Sequence, residues 1–267
     1  MTRDSIVRGL RERRASGGAI VLAGVGSGIT AAAAVAGGAD LLATYGTAAY
    51  RILGAPTALA FLPYDDANVL TLDLLPVIVE RAGEVPVIAG LGAHDPRRSV
   101  EWLVDAAAAD GASGVTNEPF VGIYGPALRA ELDAAGYGFE REVSLLEAAG
   151  DAGLLTLGWA FDDEEVRRLV GAGVDVIGAM AGITGSAGSA ADDIGRLGAM
   201  VATAHAARPD ALVLIHGGPL GDPATVGAAL LETGADGYAT GSSAERTPVF
   251  AAVRDAVHAF RDLRVRE

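Results

Sequence analysis

Short apolar runs alternate with amphipathic stretches along the chain. The runs are almost continuously apolar, which is typical of parallel strands that are buried on both faces. Eight of them occur, at residues 19–24, 40–45, 86–91, 113–117, 154–159, 174–179, 211–216 and 236–241. Helical patterns separate the runs, so the sequence predicts an α/β fold with a parallel sheet.

A similar glycine-containing motif recurs at the junctions between helical patterns and apolar runs. Glycine comes shortly before the run in GGADLL at 37, DGASGV at 110, GAGVDV at 171 and TGADGY at 233. Glycine there supplies a left-handed helix C-cap, after which the chain turns at once into a strand. The repeated unit predicts a (β/α)8 TIM barrel. An open doubly wound sheet is the alternative fold. The eight evenly developed β/α units without a linker favour the barrel over it.

The remaining segments fit one domain of this kind. We interpret residues 1–267 as a single TIM-barrel domain. Residues 1–17 would form a basic helical arm that either covers the bottom of the barrel or meets a partner subunit. Two connections are longer than plain turns, residues 47–68 after the second strand and 118–145 after the fourth. Both follow the carboxyl ends of strands, where active-site insertions occur.

The amino-acid composition limits the catalytic mechanisms and the partners that the chain can have. The net charge is −14, and the sequence contains no lysine, so all 20 of its Lys and Arg positions are arginine. Cysteine is also absent. Schiff-base and thiol catalysis are therefore excluded. An acidic chain without a basic run argues against a nucleic acid or a membrane surface as partner. The sequence shows no signal peptide and no apolar run of about 18 residues, so we expect a soluble cytoplasmic protein.

Polar residues gather at the carboxyl ends of the predicted strands, where a barrel carries its active site. The guanidinium groups of Arg51 and Arg246 suit a carboxylate or phosphate, and a salt bridge to a loop acid is the alternative for each. Backbone N–H groups in the loops after the seventh and eighth strands would bind the same small anionic substrate. The loop residues concerned are Gly217, Gly218, Ser242 and Ser243.

Two of the four histidines end a strand and are candidates for acid–base catalysis. His216 is the better candidate; His94 is the other, unless it serves to orient Asp95, a possible helix N-cap. Carboxylates in or beside the long connections suit Mg²⁺, with Asp66 and Asp95 as candidate ligands, whereas no zinc spacing is present. GVGSG at 24–28 lacks the third glycine of a dinucleotide loop, so no nicotinamide cofactor is expected. The wider carboxylate set is Asp65, Asp66, Asp95, Glu118 and Glu142.

Longer motifs resemble those of the phosphoenolpyruvate hydrolase-like family of TIM-barrel proteins, from about residue 18 to 263. The resemblance is carried by GVGSGITAAAAVAGGADLL, LPYDDAN, PVIAGLGAHDP, SGVTNEPFVG, YGFEREV, IHGGP and GSSAERTPV. It implies a barrel similar to the phosphoenolpyruvate/pyruvate superfamily, homo-oligomers, and hydrolysis of a phosphoenolpyruvate- or phosphonopyruvate-like acid. It also implies site positions at Arg51, Asp66, Asn68, Asp95, Asn117, Glu142, His216, Ser242, Ser243, Glu245 and Arg246.

Three positions depart from the family pattern. The run Tyr45-Gly46-Thr47-Ala48-Ala49 lacks an amide and an arginine that relatives usually carry. Ala179 stands where a histidine usually follows the sixth strand, and Phe250 stands where a glutamate follows the last motif. Losing a cation and an imidazole from the mouth indicates a larger or less charged substrate.

The leading hypothesis is an enzyme, a hydrolase or lyase, that cleaves a C–P, C–O or C–C bond in a small oxo- or enol-acid. His216 would be the general acid–base, with Glu142 or Asp95 polarising it, activating water or binding a metal. A retro-aldol or retro-Claisen cleavage through a stabilised enolate is the second hypothesis. A barrel that binds a ligand or partner without catalysis is the third, which Ala49 and Ala179 favour.

Overall fold

Eight parallel strands close into a barrel in the computed structural model, which describes residues 1–184 and 189–263. Each strand pairs with the next, and Ile20 in the first lies opposite Gly237 in the last. The strands are β1 (Ile20–Gly24), β2 (Leu41–Thr44), β3 (Val87–Gly90), β4 (Gly114–Thr116), β5 (Leu155–Ala160), β6 (Val176–Met180), β7 (Leu212–His216) and β8 (Gly237–Thr240). Each overlaps one predicted run, so the predicted (β/α)8 barrel is confirmed. Residues 185–188 and 264–267 of the predicted single domain lie outside the described residues.

Helices surround the strands. They are α1 (Arg3–Ala15), α2 (Gly28–Ala36), α3 (Gly46–Ile52), α4 (Ala67–Ala82), α5 (Val100–Ala109), α6 (Pro126–Ala134), α7 (Phe139–Asp151), α8 (Asp163–Gly171), α9 (Ala190–Ala207), α10 (Pro223–Thr233) and α11 (Arg246–Arg261). Gly38, Gly111, Gly173 and Gly234, one in each repeated junction, have φ between 72° and 92°. Only glycine adopts this conformation freely, which explains the repetition. In the described part of the chain, no helix has both the length and the apolar content that a membrane crossing requires.

Side chains alternate between the barrel interior and the surrounding helix layer. In β7, Leu212 and Leu214 pack with the interior cluster, whereas Val213 and Ile215 pack with the cluster under the outer helices. This period of two is the geometry of any strand in a closed barrel. It places His216, the last residue of β7, on the inward side at the carboxyl end.

The N-terminal helix α1 closes the bottom of the barrel. Its apolar residues Ile6 and Leu10 are 4% exposed and belong to the same cluster as the barrel interior. Four arginines of α1 pair with aspartates at the amino ends of strands, namely Arg3–Asp175, Arg11–Asp210, Arg13–Asp40 and Arg14–Asp236. Of the two roles expected for the arm, the structure shows the one in which it covers the barrel.

The two long connections meet above the opposite end. The connection after β2 contains α3 and a short 3-10 helix ending at Phe61, and the connection after β4 contains a second 3-10 helix and α6. The rings of Phe61 and Phe120 lie 5.6 Å apart, and the Tyr124 hydroxyl donates a hydrogen bond of 2.9 Å to the Phe61 carbonyl. These contacts place both insertions over the carboxyl ends of the strands.

We predict that Leu10→Ala lowers the free energy of unfolding by about 2–5 kcal/mol, because it leaves a cavity where α1 fills the bottom of the barrel. Urea denaturation would measure the loss. Leu231→Ala on α10 is the matched control, because Leu231 is 90% exposed and its truncation should change stability by no more than about 0.5 kcal/mol. Equal losses in the two variants would show that α1 does not seal the interior.

Candidate active site

A small cavity of about 50 Å³ lies at the carboxyl ends of the strands. Its base comes from inward-facing residues of the strands, and its cover comes from the two long connections and the loop after β6. A site of this size favours a small ligand. The lining residues are Tyr45, Thr47, Arg51, Thr57, Phe61, Glu118, Phe120, Ile123, Trp159, Met180, Gly182, Ile183, Thr184, His216, Ala239, Gly241 and Ser242.

His216 enters this cavity as a neutral imidazole. Its Nδ1 lies 2.5 Å from the carbonyl oxygen of Ala239. A carbonyl only accepts hydrogen bonds, so Nδ1 carries the proton and Nε2 has a free lone pair. Burial lowers the pKa of His216 to about 4, the charge of Arg51 acts in the same direction, and the hydrogen bond to Ala239 opposes it. At neutral pH the ring is therefore a base.

Arg51 combines the two roles that the sequence left open. Its Nε donates to Glu245 Oε2 at 2.8 Å, and both side chains are 3% exposed. Its second terminal nitrogen, Nη2, donates to the Gly24 carbonyl at 3.0 Å. Nη1 lies 3.6 Å from the point that a β-carbon on Gly241 would occupy, and the residue lines the cavity. Arg51 is thus held by a salt bridge while one nitrogen remains available for an anion.

Glu245 is the anchor of this arrangement rather than a cavity residue. Besides Arg51, its carboxylate accepts hydrogen bonds from the backbone of Gly26 at 2.6 Å and from the hydroxyl of Thr30 at 2.7 Å. The carboxylate thereby joins the end of β8 to the loop after β1. Its position fixes Arg51 at the rim of the cavity.

Glu118 is a buried acid in the cavity wall. The Thr47 hydroxyl donates a hydrogen bond to its Oε1, and the residue is 6% exposed. Burial raises the pKa of Glu118 to about 7, although the Thr47 hydrogen bond and the charge of Arg51 oppose the rise. The sequence pointed to Glu118 only as a carboxylate near a possible Mg²⁺ site. The available signal was its place directly after β4, followed by the apolar residues Pro119 and Phe120.

Glu142, His94 and Asn117 form a polar cluster beside the cavity. The carboxylate of Glu142 is fully buried and accepts hydrogen bonds from the backbone of Val121 at 2.6 Å and from the Asn117 amide. His94 Nε2 lies 3.3 Å from Glu142 Oε1. Asn117 also bonds the backbone of Trp159, whose ring lies 5.7 Å from that of His216. In the described residues this cluster therefore reaches His216 only through Trp159, and Glu142 does not contact the imidazole.

Asp66 and Asp95 form salt bridges with the same arginine, Arg98. Asp95 accepts from Arg98 Nε at 2.5 Å and from Asn68 Nδ2 at 3.1 Å, and Arg98 also contacts Asp66. Although burial opposes it, the backbone N–H of Arg97, the Asn68 amide and the Arg98 charge lower the pKa of Asp95. Both carboxylates also accept backbone N–H groups, and Asp66 caps α4.

This pairing does not fit the predicted Mg²⁺ site. The guanidinium of Arg98 contacts both carboxylates of Asp66 and Asp95 and already balances their charge. Within residues 1–184 and 189–263, no group of three or more histidine, aspartate or glutamate side chains is arranged to hold a metal ion. Asp95 also lies outside the cavity lining and does not contact His216.

The loop after β7 packs against the cavity wall without lining the cavity itself. Gly217 has φ 88°, and a β-carbon there would lie 1.9 Å from the carbonyl oxygen of Gly182, a residue that lines the cavity. Gly218 has φ 54° and is also buried. Glycine is required at Gly217 by both backbone conformation and space. Neither residue of the pair lines the cavity itself.

The loop after β8 reaches the cavity at one of its two serines. Ser242 lines the cavity, whereas the hydroxyl of Ser243 lies 3.2 Å from that of Tyr238. Arg246 is exposed at the start of α11, and its Nη1 lies 3.4 Å from the Ala55 carbonyl. The structure therefore brings Ser242, Arg51 and His216 together, and it places Arg246 outside the cavity.

The position of Ala179 contradicts the expectation that this alanine removes an imidazole from the mouth of the barrel. The residue lies within β6, and its side chain is fully buried in the cluster between the strands and the outer helices. Its side chain therefore faces away from the barrel interior, so the alanine removes no imidazole from the cavity. Phe250 lies on α11 and is 69% exposed, also away from the cavity lining.

The chain is therefore an α/β-barrel protein with a candidate acid–base site. The site combines a neutral histidine, a buried acid and one guanidinium at the carboxyl ends of the strands. A family model described as phosphoenolpyruvate hydrolase-like matches residues 5–263. The chain belongs to this family.

Two curated relatives come from Solanum lycopersicum. The ToMV resistance protein Tm-1(GCR237) is 34% identical over 269 residues, covering 98% of this chain and 36% of the relative. The ToMV susceptible protein tm-1(GCR26) is 34% identical over 266 residues, covering 97% of this chain and 35% of the relative. The chain thus spans about a third of the length of these relatives.

Three solved structures share the fold. A phosphonopyruvate hydrolase in complex with oxalate and Mg²⁺ is 17% identical with a TM-score of 0.67, covering 98% of this chain and 88% of that one. An oxaloacetate acetylhydrolase in complex with 3,3-difluorooxalacetate is 18% identical with a TM-score of 0.63, with the same coverage of 98% and 88%. A 2,3-dimethylmalate lyase of the PEP mutase/isocitrate lyase superfamily is also similar, at a TM-score of 0.61, 19% identity and coverage of 98% and 88%. At these identities the likeness establishes a common barrel.

We predict that Arg51→Met lowers the free energy of unfolding by about 3–5 kcal/mol, because it leaves the buried Glu245 carboxylate without its cation. Urea denaturation at pH 7 would measure the change. Arg11→Met is the matched control, because the Arg11–Asp210 pair is more than half exposed on average and its loss should cost no more than about 1 kcal/mol. A cost for Arg51→Met as small as that of the control would refute the structural role of the pair.

Proposed function

We propose that the chain is a hydrolase or lyase that cleaves a bond in a small oxo- or enol-acid. The observation that carries the proposal is the shared cavity of His216 and Arg51. A neutral imidazole with a free Nε2 is a base, and a guanidinium beside it suits a carboxylate or phosphate. The family description and the names of the neighbouring structures support the same class of substrate.

Binding in this proposal begins with Arg51. Its Nη1 and the backbone near Ser242 hold the acid group, while Phe61, Phe120 and Trp159 cover the ligand and exclude water. His216 Nε2 takes a proton from a water or from a substrate hydroxyl. The other predicted site residues act indirectly: Asn117 and Glu142 hold Trp159, and Gly217 and Gly218 support the wall behind Gly182.

We assign no step to Mg²⁺. The phosphonopyruvate hydrolase structure contains the ion, but Asp66 and Asp95 of this chain are occupied by Arg98. The assays include Mg²⁺ as a variable for that reason. Asn68 and Asp95 enter the proposal as residues that fix the loop after β3, not as groups that bind substrate.

We predict that His216→Ala lowers kcat/KM by about 100-fold or more, because it removes the base from the cavity. Turnover would be measured on phosphonopyruvate, phosphoenolpyruvate and oxaloacetate, each with and without Mg²⁺. His258→Ala is the matched control, because His258 is exposed on α11. If the wild-type protein converts none of these acids, or if both variants keep full activity, the proposal fails.

A ligand-binding barrel without catalysis is the second candidate. It is favoured by the names of the tomato relatives, which describe virus resistance and susceptibility rather than a reaction. Binding of oxalate without turnover of any acid in the panel would select it over the enzyme.

We further propose that the chain forms a homo-oligomer through α11. None of the residues of this helix is buried in the described part of the chain. Its apolar side chains recur at the spacing of one helix face and are 45–74% exposed. A face of this kind on a soluble chain indicates a contact surface, and a second copy supplies the same apolar face for an isologous dimer. The side chains are Val249, Phe250, Val253, Val257 and Phe260.

We predict that the double variant Phe250→Asp/Phe260→Asp is monomeric, because each copy would have to bury two charges in the contact. Light scattering coupled to size-exclusion chromatography would give the mass. Leu231→Asp on α10, at a residue 90% exposed, is the control and should keep the wild-type mass. A wild-type protein that is already monomeric at micromolar concentration contradicts the proposed assembly.

A further inference from the structure

Glu118 stands across the cavity from the imidazole. It follows β4, whereas His216 ends β7, three strands further around the eight-stranded ring. Both side chains line the same cavity. A ligand in that space therefore has an acid on one side and a base on the other.

We infer that Glu118 is the catalytic proton donor of this site and that it delivers its proton to the carbon released when the substrate bond breaks. The inference rests on the proposed function and adds a second catalytic residue to it. It also selects among substrates, because the bond that breaks must leave its electron pair on a carbon that becomes protonated.

The hydrogen bonds of Glu118 fix where its proton lies. Thr47 donates to Oε1, so a proton on the neutral carboxyl group resides on Oε2. No side chain or backbone group in the described residues hydrogen-bonds Oε2. The acid hydrogen is thus available to a ligand, while Thr47 holds the orientation of the carboxyl group.

The charges around Glu118 are compatible with a neutral acid. Arg51 and Tyr45 are the charged or titratable groups whose fields reach it. The guanidinium of Arg51 is already paired with Glu245, and burial raises the pKa of Tyr45 to about 12, so the phenol is neutral. Burial therefore outweighs the remaining attraction to Arg51 and keeps the pKa of Glu118 near 7.

The reaction balances with these two groups and one water. The water oxygen forms a bond to the phosphorus or carbonyl carbon under attack, and His216 Nε2 takes one water proton. The bond from that atom to the neighbouring carbon breaks, and its electron pair stays on the carbon as an enolate. Glu118 Oε2 then gives its proton to this carbon. Proton exchange with solvent returns His216 to its neutral form and Glu118 to its acid form, so one water is consumed overall.

The test compares Glu118→Gln with Glu165→Gln. Glutamine keeps the size of the side chain and the contact with Thr47 but has no acidic proton to transfer. Glu118→Gln should lower kcat by about 100-fold or more with little change in KM. Glu165 is the matched control, because burial also raises its pKa to about 7, yet it pairs with Arg129 outside the cavity. Glu165→Gln should keep wild-type kcat.

The pH profile gives a readout that a structural role would not move. The wild-type kcat/KM should fall as the pH drops through about 4, where His216 gains a proton. It should also fall as the pH rises through about 7, where Glu118 loses one. In Glu118→Gln the residual activity should lose the upper limb and keep the lower one. Glu118→Asp should recover part of the rate.

Oxalate binding separates failure of the inference from failure of the function. Calorimetry should show that oxalate binds the wild-type protein more weakly as the pH rises through about 7, because an ionised Glu118 repels it, and that Glu118→Gln lacks this dependence. An active wild type with a Glu118→Gln variant within about threefold of its rate overturns the inference alone. An inactive wild type overturns the function and the donor role together. Wild-type binding without pH dependence shows that Glu118 does not contact the ligand.

Discussion

The buried ion pair between Arg51 and Glu245 is the interaction on which the candidate site depends. Glu245 accepts hydrogen bonds from the loop after β1 and from Thr30 of α2, so one carboxylate joins the ends of three strands around the barrel opening. Isolated buried charges are costly, and this one is offset by a guanidinium and two further donors. The same contacts leave one nitrogen of Arg51 for a ligand.

Desolvation then sets the protonation states of the other two groups. Removing water disfavours the charged form of either sign, so burial lowers the pKa of His216 and raises the pKa of Glu118. The result is a base that is neutral at neutral pH and, in the same small space, an acid that keeps its proton until the pH rises through about 7. Glu245 balances the charge of Arg51 through its Nε, and the Nη1 of the same guanidinium remains as the donor for a bound anion.

The fold could be predicted from the sequence because its causes are local. Apolar runs, glycine junctions and the two long insertions each follow from the backbone geometry of one β/α unit. His216 could also be identified, because its position at the end of an apolar run determines that it lies at the barrel mouth. The partners of Arg51, Asp66 and Asp95 could not, since Arg51 and Glu245 are 194 positions apart and Arg98 lies between two carboxylates only once the loops have folded.

The remaining differences have the same origin. Whether Ala179 faces the mouth or the helices depends on the register of a single residue within β6, and the sequence pattern does not resolve a strand end to that precision. Glu118 is an ordinary loop glutamate in the sequence. Its raised pKa arises from burial in a cavity that Phe61 and Phe120, from two separate insertions, also line.

The helix at the bottom of the barrel has a consequence for how the protein can change over evolutionary time. Its four paired arginines and its two buried apolar side chains secure the amino ends of the strands, and none of these residues lines the cavity at the other end. Stability and chemistry are therefore assigned to opposite faces of one scaffold. Replacements in the loops over the mouth can alter what is bound without loosening the seal below, so a lineage built on this barrel can exchange its ligand while retaining its architecture.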